Sequence, residues 1–504
     1  MQVEPAEADF AERYRRGDAQ VVWTTLVADL ETAVSAYLKI GGGQPMSFLL
    51  ESVEGGAVRG RYSVIGLEPD LIWRMQDGRA DINRTAQTHP DQFQPCADAP
   101  FAALRALLAE SRIDLPDTLP PMAAGVFGYL GYDTVRLIED VPATNPDRTG
   151  IPDGILIRPT LVVVFDAVAD TITIVTPVRP ADGVSAAAAY ARAIDRLTGV
   201  IDSLDRPLDK SAEVETGPIV ATPVSNTSAD DYKAMTLRAK EYIAAGDIFQ
   251  VVLSQRFEAP FTLPPFALYR ALRRVNPAPF LYFLDFGPFA IAGSSPEILV
   301  RARHGRVTIR PIAGTRPRGA TLAQDKALEE ELLADPKERA EHLMLLDLGR
   351  NDVGRVAKLG SVTVTDQYFV ERYSQVMHIV SNVEGDMAEG RDALDALAAG
   401  FPAGTVSGAP KVRAMQIIDE LEKDKRGLYA GCIGYFSAAG DMDTCIALRT
   451  ALIKDGKMYV QAGAGIVADS DPAAEQQECV NKAKALFRAA EEARRFASAA
   501  IRGQ

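Results

Sequence analysis

Two acidic segments in the last third of the chain carry the residue types that bind a divalent cation. Residues 339–352 have the sequence RAEHLMLLDLGRND, and residues 471–482 have the sequence DPAAEQQECVNK. Glu475, Glu478 and Lys482 recur at i, i+3 and i+7, so they share one stripe of a predicted helix. Paired carboxylates on two distant helices could hold a hard cation, and through it an anionic substrate. The same spacing is also typical of a solvated helix face, so periodicity alone leaves both interpretations open.

Three further features could bind an anion or move a proton. Gly463, Gly465 and Ala468 match G-x-G-x-x-A, but too few residues follow for a dinucleotide-binding unit, so exposed backbone amides for a carboxylate are the alternative. His378 lies in an apolar strand-like run, where it is either structural or able to exchange a proton near neutral pH. Arg449, in a predicted strand, needs an anionic partner from the protein or from a substrate.

The loop of residues 401–411 precedes a predicted helix whose first position is Pro410. Free amides at such a helix start favour an anion, although a plain Gly/Pro turn explains the loop equally.

Composition excludes several classes of protein. The chain has 504 residues and a formal charge of −14, with no long Lys/Arg run, which argues against a nucleic-acid surface. Its apolar stretches are strand-sized and its N-terminus is acidic, so we expect no membrane span, no signal peptide and a cytoplasmic protein. Four cysteines without a CxxC pair argue against a zinc or disulfide framework.

These residues need scaffolding elements, which the sequence places in two regions. Residues 1–205 alternate short strands, among them 61–66 and 70–74, with helices and predict an N-terminal α+β domain, and residues 206–228 resemble a linker. In residues 229–495, a helix at 230–245 ends at Gly246, and strands follow at 248–257, 280–286, 304–309, 361–368, 428–437, 444–453 and 458–464. This second region is the predicted catalytic domain.

Taken with GSSPE at 293–297 and RPIAGTRPRG at 310–319, the segments resemble the chorismate-utilising enzyme family, most closely its branch of anthranilate synthase large subunits. The resemblance implies an α+β fold with a large antiparallel sheet core flanked by helices and an N-terminal regulatory region. It also implies a Mg²⁺-dependent reaction of chorismate with ammonia that gives anthranilate and pyruvate for tryptophan biosynthesis.

The same resemblance assigns roles to individual residues. Glu341 and Glu478 would bind Mg²⁺, Glu297 would be the general acid, and His378 would assist the aromatising step. The residues that the resemblance places around chorismate are Gly314, Thr315, Thr405, Tyr429, Arg449, Gly463, Ala464, Gly465 and Lys482.

Two positions separate the branches of the family. Water-adding members carry Lys where this chain has Gln250, and aminodeoxychorismate synthases typically carry Lys where it has Ala313. Both positions favour anthranilate. The alternatives are an aminodeoxychorismate synthase variant without that lysine, and a non-catalytic tryptophan-binding or partner-binding protein with the same fold.

Regulation and assembly are also implied by the resemblance. LLES at 49–52 and NPAPF at 276–280 match the family's tryptophan feedback pocket through Ser52, Pro279 and Leu281, although these residues could instead belong to the core. We find no glutaminase motif. A separate glutamine amidotransferase subunit (component II) is therefore expected in a hetero-oligomer, with free ammonia as a substitute substrate.

Overall fold

The computed structural model describes residues 1–54, 58–208, 222–373 and 376–497. The helices in this part of the chain are α1 Glu7–Arg16, α2 Ala33–Ile40, α3 Pro100–Glu110, α4 Ala186–Leu204, α5 Ala229–Ala244, α6 Pro265–Val275, α7 Leu322–Ala334, α8 Pro336–Gly354, α9 Ala393–Gly400, α10 Gly404–Ser407, α11 Lys411–Leu421 and α12 Pro472–Glu492. Short 3₁₀ helices span Pro121–Ala123, Tyr132–Leu137 and Ala493–Phe496.

The strands in the first half of the chain are β1 Gln20–Val27, β2 Ser47–Glu54, β3 Val58–Gln76, β4 Arg79–Asn83, β5 Gln94–Pro95, β6 Gly125–Leu130, β7 Gly154–Asp166, β8 Thr171–Val178, β9 Val224–Ser225 and β10 Gln250–Pro260. Those in the second half are β11 Phe280–Asp285, β12 Phe289–Ser295, β13 Ile298–Arg303, β14 Arg306–Ile309, β15 Ile312–Pro317, β16 Thr363–Arg372, β17 Val376–Asp386, β18 Gly408–Ala409, β19 Cys432–Ser437, β20 Met442–Ile446, β21 Thr450–Lys454 and β22 Lys457–Ile466.

The strands form two antiparallel runs that both start at the paired strands β3 and β7. One run continues from β3 through β2, β11, β12, β21 and β22 to β10. The other continues from β7 through β6, β19, β20, β13 and β14 to β17, which carries β15 and β16 on its edges. This arrangement confirms the predicted large antiparallel sheet with flanking helices.

Three apolar clusters show how the layers pack. One contains inward side chains from both runs, such as Phe48, Tyr282 and Ile433, so it forms the core between the sheets. A second packs α1, α2, α4, α6 and α12 against the first run. A third packs α3, α8, α9 and α11 against the second run. The helices that carry the predicted metal glutamates, α8 and α12, therefore cover different runs.

Strand pairing crosses the predicted linker. β2 pairs with β11 and β6 pairs with β19, so residues before 206 and after 228 share a continuous hydrogen-bonded sheet. Of the predicted linker itself, residues 209–221 lie outside the described ranges, whereas Val224 and Ser225 pair with β10. In the ranges that the structure describes, no helix is both long enough and apolar enough to cross a membrane.

Three local predictions were wrong. The predicted strands at 61–66 and 70–74 are one strand, β3, which bends at Glu68, where φ is 52°. The predicted strand at 444–453 is broken into β20 and β21 by a bend in which Arg449 has a φ of 48°. Pro410 is the N-cap of α11 rather than its first residue. The apolar pattern of the sequence predicted neither the continuity of β3 nor the break between β20 and β21. Both involve a non-glycine residue at positive φ, which is rare and leaves no mark in that pattern.

Candidate active site

A cavity of about 460 Å³ lies where the ends of the two runs meet α8 and α12. It brings together residues from distant parts of the chain, from Gln250 to Leu486. Of the residues predicted to be catalytic, substrate-binding or metal-binding, those that line the cavity are Glu297, Gly314, Thr315, Glu341, His378, Thr405, Tyr429, Arg449, Gly463, Gly465, Glu478 and Lys482. Ala464 points its side chain into an apolar cluster on the other face of β22, so only its backbone is left for the predicted role.

The two glutamate-bearing helices begin in the same way. Asp335 caps α8 and Asp471 caps α12, each side chain accepts two backbone N–H bonds, and each is followed by proline at the first helical position. From these starts, α8 presents Glu338 and Glu341 to the cavity, and α12 presents Glu475, Glu478 and Lys482. The predicted i, i+3, i+7 stripe of α12 therefore faces a cavity, whereas Cys479 and Ala483 are buried against the protein.

The four glutamates make this end of the cavity strongly negative. Burial raises the pKa of Glu341, and the charges of Glu338 and Glu478 raise it further. Burial also raises the pKa of Glu475, again with a contribution from Glu478. Gln250 Nε2 donates to Glu341 Oε1 over 3.3 Å, and Lys482 Nζ lies 2.7 Å from Glu478 Oε1. Arg316 Nη1 also donates to Glu338 Oε1 over 3.1 Å. In the described structure one oxygen of Glu341 and one of Glu478 keep no such contact, so a cation bound between these two would relieve their repulsion.

A divalent cation fits this donor set only with additional ligands. Within the described ranges, no three acidic, histidine or cysteine side chains stand together as a formed metal shell. Magnesium commonly takes one or two protein carboxylates and completes its octahedron with water and substrate oxygens. Glu341 and Glu478, on helices that face each other across the cavity, are therefore suitable for a metal that arrives with an anionic substrate.

Glu297 lies between β12 and β13 in a very different environment. Its side chain is buried, and its only side-chain hydrogen bond in the described structure comes from Thr405 Oγ1, 3.0 Å from Oε1. Burial raises the pKa of Glu297 to about 8, and the Thr405 hydroxyl offsets this only in part. An acid of this kind keeps its proton at neutral pH and can donate it to a leaving group.

His378 is oriented by a bulge in the neighbouring strand. The β15–β17 register shifts between Ala313 and Thr315, where Gly314 has a φ of 70°. This places the Gly314 carbonyl oxygen 2.9 Å from His378 Nδ1, with Thr315 Oγ1 at 3.1 Å. Because a carbonyl only accepts, Nδ1 carries the proton and Nε2 keeps its lone pair. Burial lowers the pKa of His378, so the ring is neutral and able to act as a base.

Arg449 supplies an unpaired positive charge. In the part of the chain that the structure describes, its guanidinium has no carboxylate partner and no side-chain hydrogen bond. Burial lowers the pKa of Arg449, yet a guanidinium stays charged in proteins. A half-buried, unpaired cation held at positive φ beside a cavity indicates an anionic ligand, since both the partial burial and the backbone conformation are unfavourable by themselves.

Two glycines of β22 make room for polar side chains. A Cβ at Gly463 would lie 2.7 Å from the Tyr429 hydroxyl, and a Cβ at Gly465 would lie 2.6 Å from Gln250 Nε2. Lys482 Nζ also donates to the Gly463 carbonyl over 2.8 Å. The G-x-G pattern therefore serves close packing around the cavity, where no larger residue fits.

Some cavity residues were not predicted. Glu338 is one helical turn before Glu341, and Gln461 is two residues before Gly463. Helical spacing back from Glu341 would have found Glu338, because it is at i−3 on the same face. Gln461 lies in the middle of β22, opposite Arg256 of β10, and strand alternation back from Gly463 would have found it, because it is at i−2 on the same face.

The predicted regulatory residues lie away from this cavity, at the seam between β2 and β11. Ser52 is directly opposite Phe280, and its Oγ donates to the Tyr62 carbonyl over 3.0 Å. Leu281 is buried in the first-run core, and Pro279 is half-buried just before β11. The two motifs are thus neighbours in space, as the prediction requires, while their ligand stays a prediction.

Comparisons with known proteins agree with this geometry. Residues 68–488 match the family model of chorismate binding enzymes. The chain is 57% identical over 494 residues to "Anthranilate synthase component 1" of Cereibacter sphaeroides, with 98% of this chain and 99% of that protein covered. It is 49% identical over 469 residues to the protein of the same name in Pseudomonas aeruginosa, with coverages of 92% and 94%.

Solved structures give the same result. The crystal structure of anthranilate synthase component I from Streptococcus pneumoniae superposes with a TM-score of 0.75 at 37% identity, covering 92% of this chain and 99% of that one. The menaquinone-specific isochorismate synthase of Escherichia coli, with a TM-score of 0.68, 21% identity and coverages of 96% and 98%, shares the fold. The chain therefore belongs to the chorismate-binding enzyme family, among the relatives named anthranilate synthase component 1.

Proposed function

We propose that the chain converts chorismate and ammonia to anthranilate and pyruvate, as the name of its relatives indicates. The observation that carries this proposal is the composition of one cavity. It holds a buried acid, a neutral histidine, an unpaired guanidinium and a carboxylate cluster that calls for a cation. This set matches a substrate with two carboxylates and a reaction with two proton transfers.

Substrate binding would use both charged ends of the cavity. Arg449, the Tyr429 hydroxyl and the β22 backbone at 463–465 would receive the enolpyruvyl carboxylate. Glu341 and Glu478 would hold Mg²⁺, and the bound ion would supply positive charge for the ring carboxylate. Without that ion the cluster would repel the substrate, so we expect turnover to require Mg²⁺.

The first chemical step would add ammonia at ring C2 while the C4 hydroxyl leaves. Glu297 would give its proton to that hydroxyl, which would depart as water. Its raised pKa keeps the proton in place up to about pH 8. Such a proton transfer contributes roughly 10² to 10⁴-fold to a rate.

The second step would remove the C2 proton and release pyruvate. His378 presents an unprotonated Nε2 to the cavity, because Nδ1 is fixed by Gly314. The electron pair of the C2–H bond would enter the ring, and the ether bond to the enolpyruvyl group would break. Aromaticity of the product favours this step.

One assay tests the proposal. The purified chain is mixed with chorismate, ammonium and Mg²⁺, and fluorescence and pyruvate are followed together. We expect both signals to rise in equal amounts. An amino product that keeps its pyruvyl group, without fluorescence, would instead identify an aminodeoxychorismate synthase, and no consumption of chorismate would contradict the enzyme assignment.

We also propose that ammonia comes from a separate glutamine amidotransferase subunit and that tryptophan inhibits at the β2–β11 seam. The partner is supported by the component name of the relatives, and the inhibitor site by the pairing of Ser52 with Phe280. Replacing Ser52 by alanine should weaken inhibition by tryptophan and leave turnover unchanged. Equal inhibition of the variant and the parent chain would refute this site.

A further inference from the structure

Glu371 is a charged neighbour of His378 that the proposed reaction does not yet use. In the β16–β17 pairing Glu371 lies directly opposite His378, just as Thr315 does in the β15–β17 pairing. Directly opposite residues of an antiparallel pair point to the same face of the sheet. Thr315, His378 and Glu371 therefore form a row across three strands, and the first two of them line the cavity.

The Glu371 carboxylate is held in place from outside the cavity. Tyr373 Oη donates to Glu371 Oε2 over 2.7 Å, and Arg310 Nη2 donates to Oε1. The Tyr373 side chain is 6% exposed, and its ring centroid lies 5.5 Å from that of His378. Since His378 Nδ1 already donates to the Gly314 carbonyl, Glu371 acts on the imidazole through its charge and not through a hydrogen bond.

The two cations near His378, Arg449 and Lys482, disfavour its protonated form, whereas the Glu371 carboxylate favours it. Burial lowers the pKa of His378, and Arg449 and Lys482 lower it further. The Gly314 carbonyl and the Glu371 carboxylate raise that pKa. Tyr373, which packs against the ring, stays neutral because burial raises its pKa far above the neutral range. Glu371 is thus the one carboxylate in the described structure that is seen to favour the protonated imidazole.

We propose that Glu371 is a positioning residue whose fixed negative charge stabilises the imidazolium that forms when His378 takes the C2 proton. This inference rests on the proposed function, because it assigns Glu371 to the elimination step. In that step the proton moves from C2 to Nε2, the C–H electron pair becomes a ring double bond, and the enolate of pyruvate leaves with the electrons of the ether bond and takes a proton from water to give pyruvate. Arg449 and Lys482 hold the substrate but oppose a positive His378, so a compensating charge is needed.

Histidine titration tests the electrostatic part without any turnover. The chain has four histidines, so isotope labelling of histidine gives a small set of NMR signals, and a His378→Asn variant assigns the relevant one. In Glu371→Gln the pKa of His378 should fall by about one pH unit. The matched control is Glu384→Gln, which also removes an arginine-paired carboxylate of this sheet, about 20 Å along β17 from His378.

The control should leave the pKa of His378 unchanged. Arg310→Gln is a second variant, in which the pKa of His378 should rise instead of fall. The reason is that Glu371 loses the arginine that offsets its negative charge. A structural disturbance alone would not give opposite signs. An unchanged His378 pKa in both Glu371→Gln and Arg310→Gln would overturn the proposal.

A kinetic measurement tests the catalytic part. With the amino intermediate supplied as substrate, Glu371→Gln should release pyruvate about tenfold more slowly. The acid limb of its pH–rate profile should move to lower pH, because the pKa of the base, His378, has fallen. Glu371→Asp should restore much of the rate, while Glu384→Gln should match the parent chain. If Glu371→Gln released pyruvate at the rate of the parent chain, the role of Glu371 in the elimination step would be refuted. If the parent chain itself releases no pyruvate, the proposed function fails, and the titration still decides the electrostatics.

Discussion

At the two ends of the cavity, the pKa values of the carboxylic acids are raised by different means. At one end Glu297 is alone, buried and hydrogen-bonded only by the neutral Thr405, and its pKa is raised to about 8. At the other end Glu338, Glu341, Glu475 and Glu478 share a partly open space, where neighbouring negative charges add to the effect of burial on Glu341 and Glu475. A cation would therefore change the second end greatly and the first end little, so metal binding and proton donation should be separable by mutation.

The carboxylate end gives the largest expected effect. Glu478→Ala should abolish Mg²⁺-dependent turnover and leave the fold intact, because the side chain is half exposed and, among the residues that the structure describes, pairs only with Lys482. The measurement is a Mg²⁺ titration of anthranilate formation, with circular dichroism to verify folding. Full activity would refute the metal assignment and remove the distinction between the two ends.

Glu297→Gln should reduce turnover by roughly 10² to 10⁴-fold, because an amide cannot protonate the leaving hydroxyl. Its Mg²⁺ dependence should remain that of the parent chain.

The same Glu297→Gln change should raise the free energy of unfolding above pH 8. Native Glu297 keeps its proton between pH 4.5 and about 8 while the unfolded chain loses it, so stability falls with pH in this window. Thermal unfolding at pH 6 and pH 9 measures the difference, and an equal shift at both values would contradict it.

His378→Ala should affect only the later of the two proton transfers. We expect the amino intermediate to accumulate with little pyruvate, because ammonia addition does not need the C2 proton to leave. Chromatography of the products and a pyruvate assay distinguish the steps. Normal pyruvate release would count against a role for His378.

Thr405→Val should give the smallest effect. It tests whether Thr405 lowers the pKa of Glu297 at that acid's end of the cavity. Loss of its hydroxyl removes the contact that lowers the pKa of Glu297, so that pKa should rise further and the alkaline limb of the rate profile should move to higher pH. Gln250→Leu, which removes the contact to Glu341, is the matched change at the other end and should alter the Mg²⁺ requirement instead. Identical pH profiles for Thr405→Val and the parent chain would show that Thr405 does not tune Glu297.

Sequence reasoning was most successful where a residue works through its type and its place in a motif. The helical stripe of α12 and twelve of the residues that line the cavity were predicted, and the sheet with its flanking helices was confirmed. It failed for features that depend on single backbone angles or on distant neighbours. The positive φ of Arg449, the bulge at Gly314 and the alignment of Glu371 with His378 leave no periodic signal, because each depends on backbone angles or on pairing register and not on side-chain type.

The seam between β2 and β11 has a consequence for how the chain can be divided. Each half of the chain supplies one partner of this pair, and β6 with β19 repeats the arrangement on the second run. Cutting at the stretch before α5 would leave four hydrogen-bonding edges bare, and edges of this kind invite pairing with other chains. The parts of the chain before and after this stretch should therefore fold together, and a ligand that shifts β2 would act directly on β11, the strand next to it.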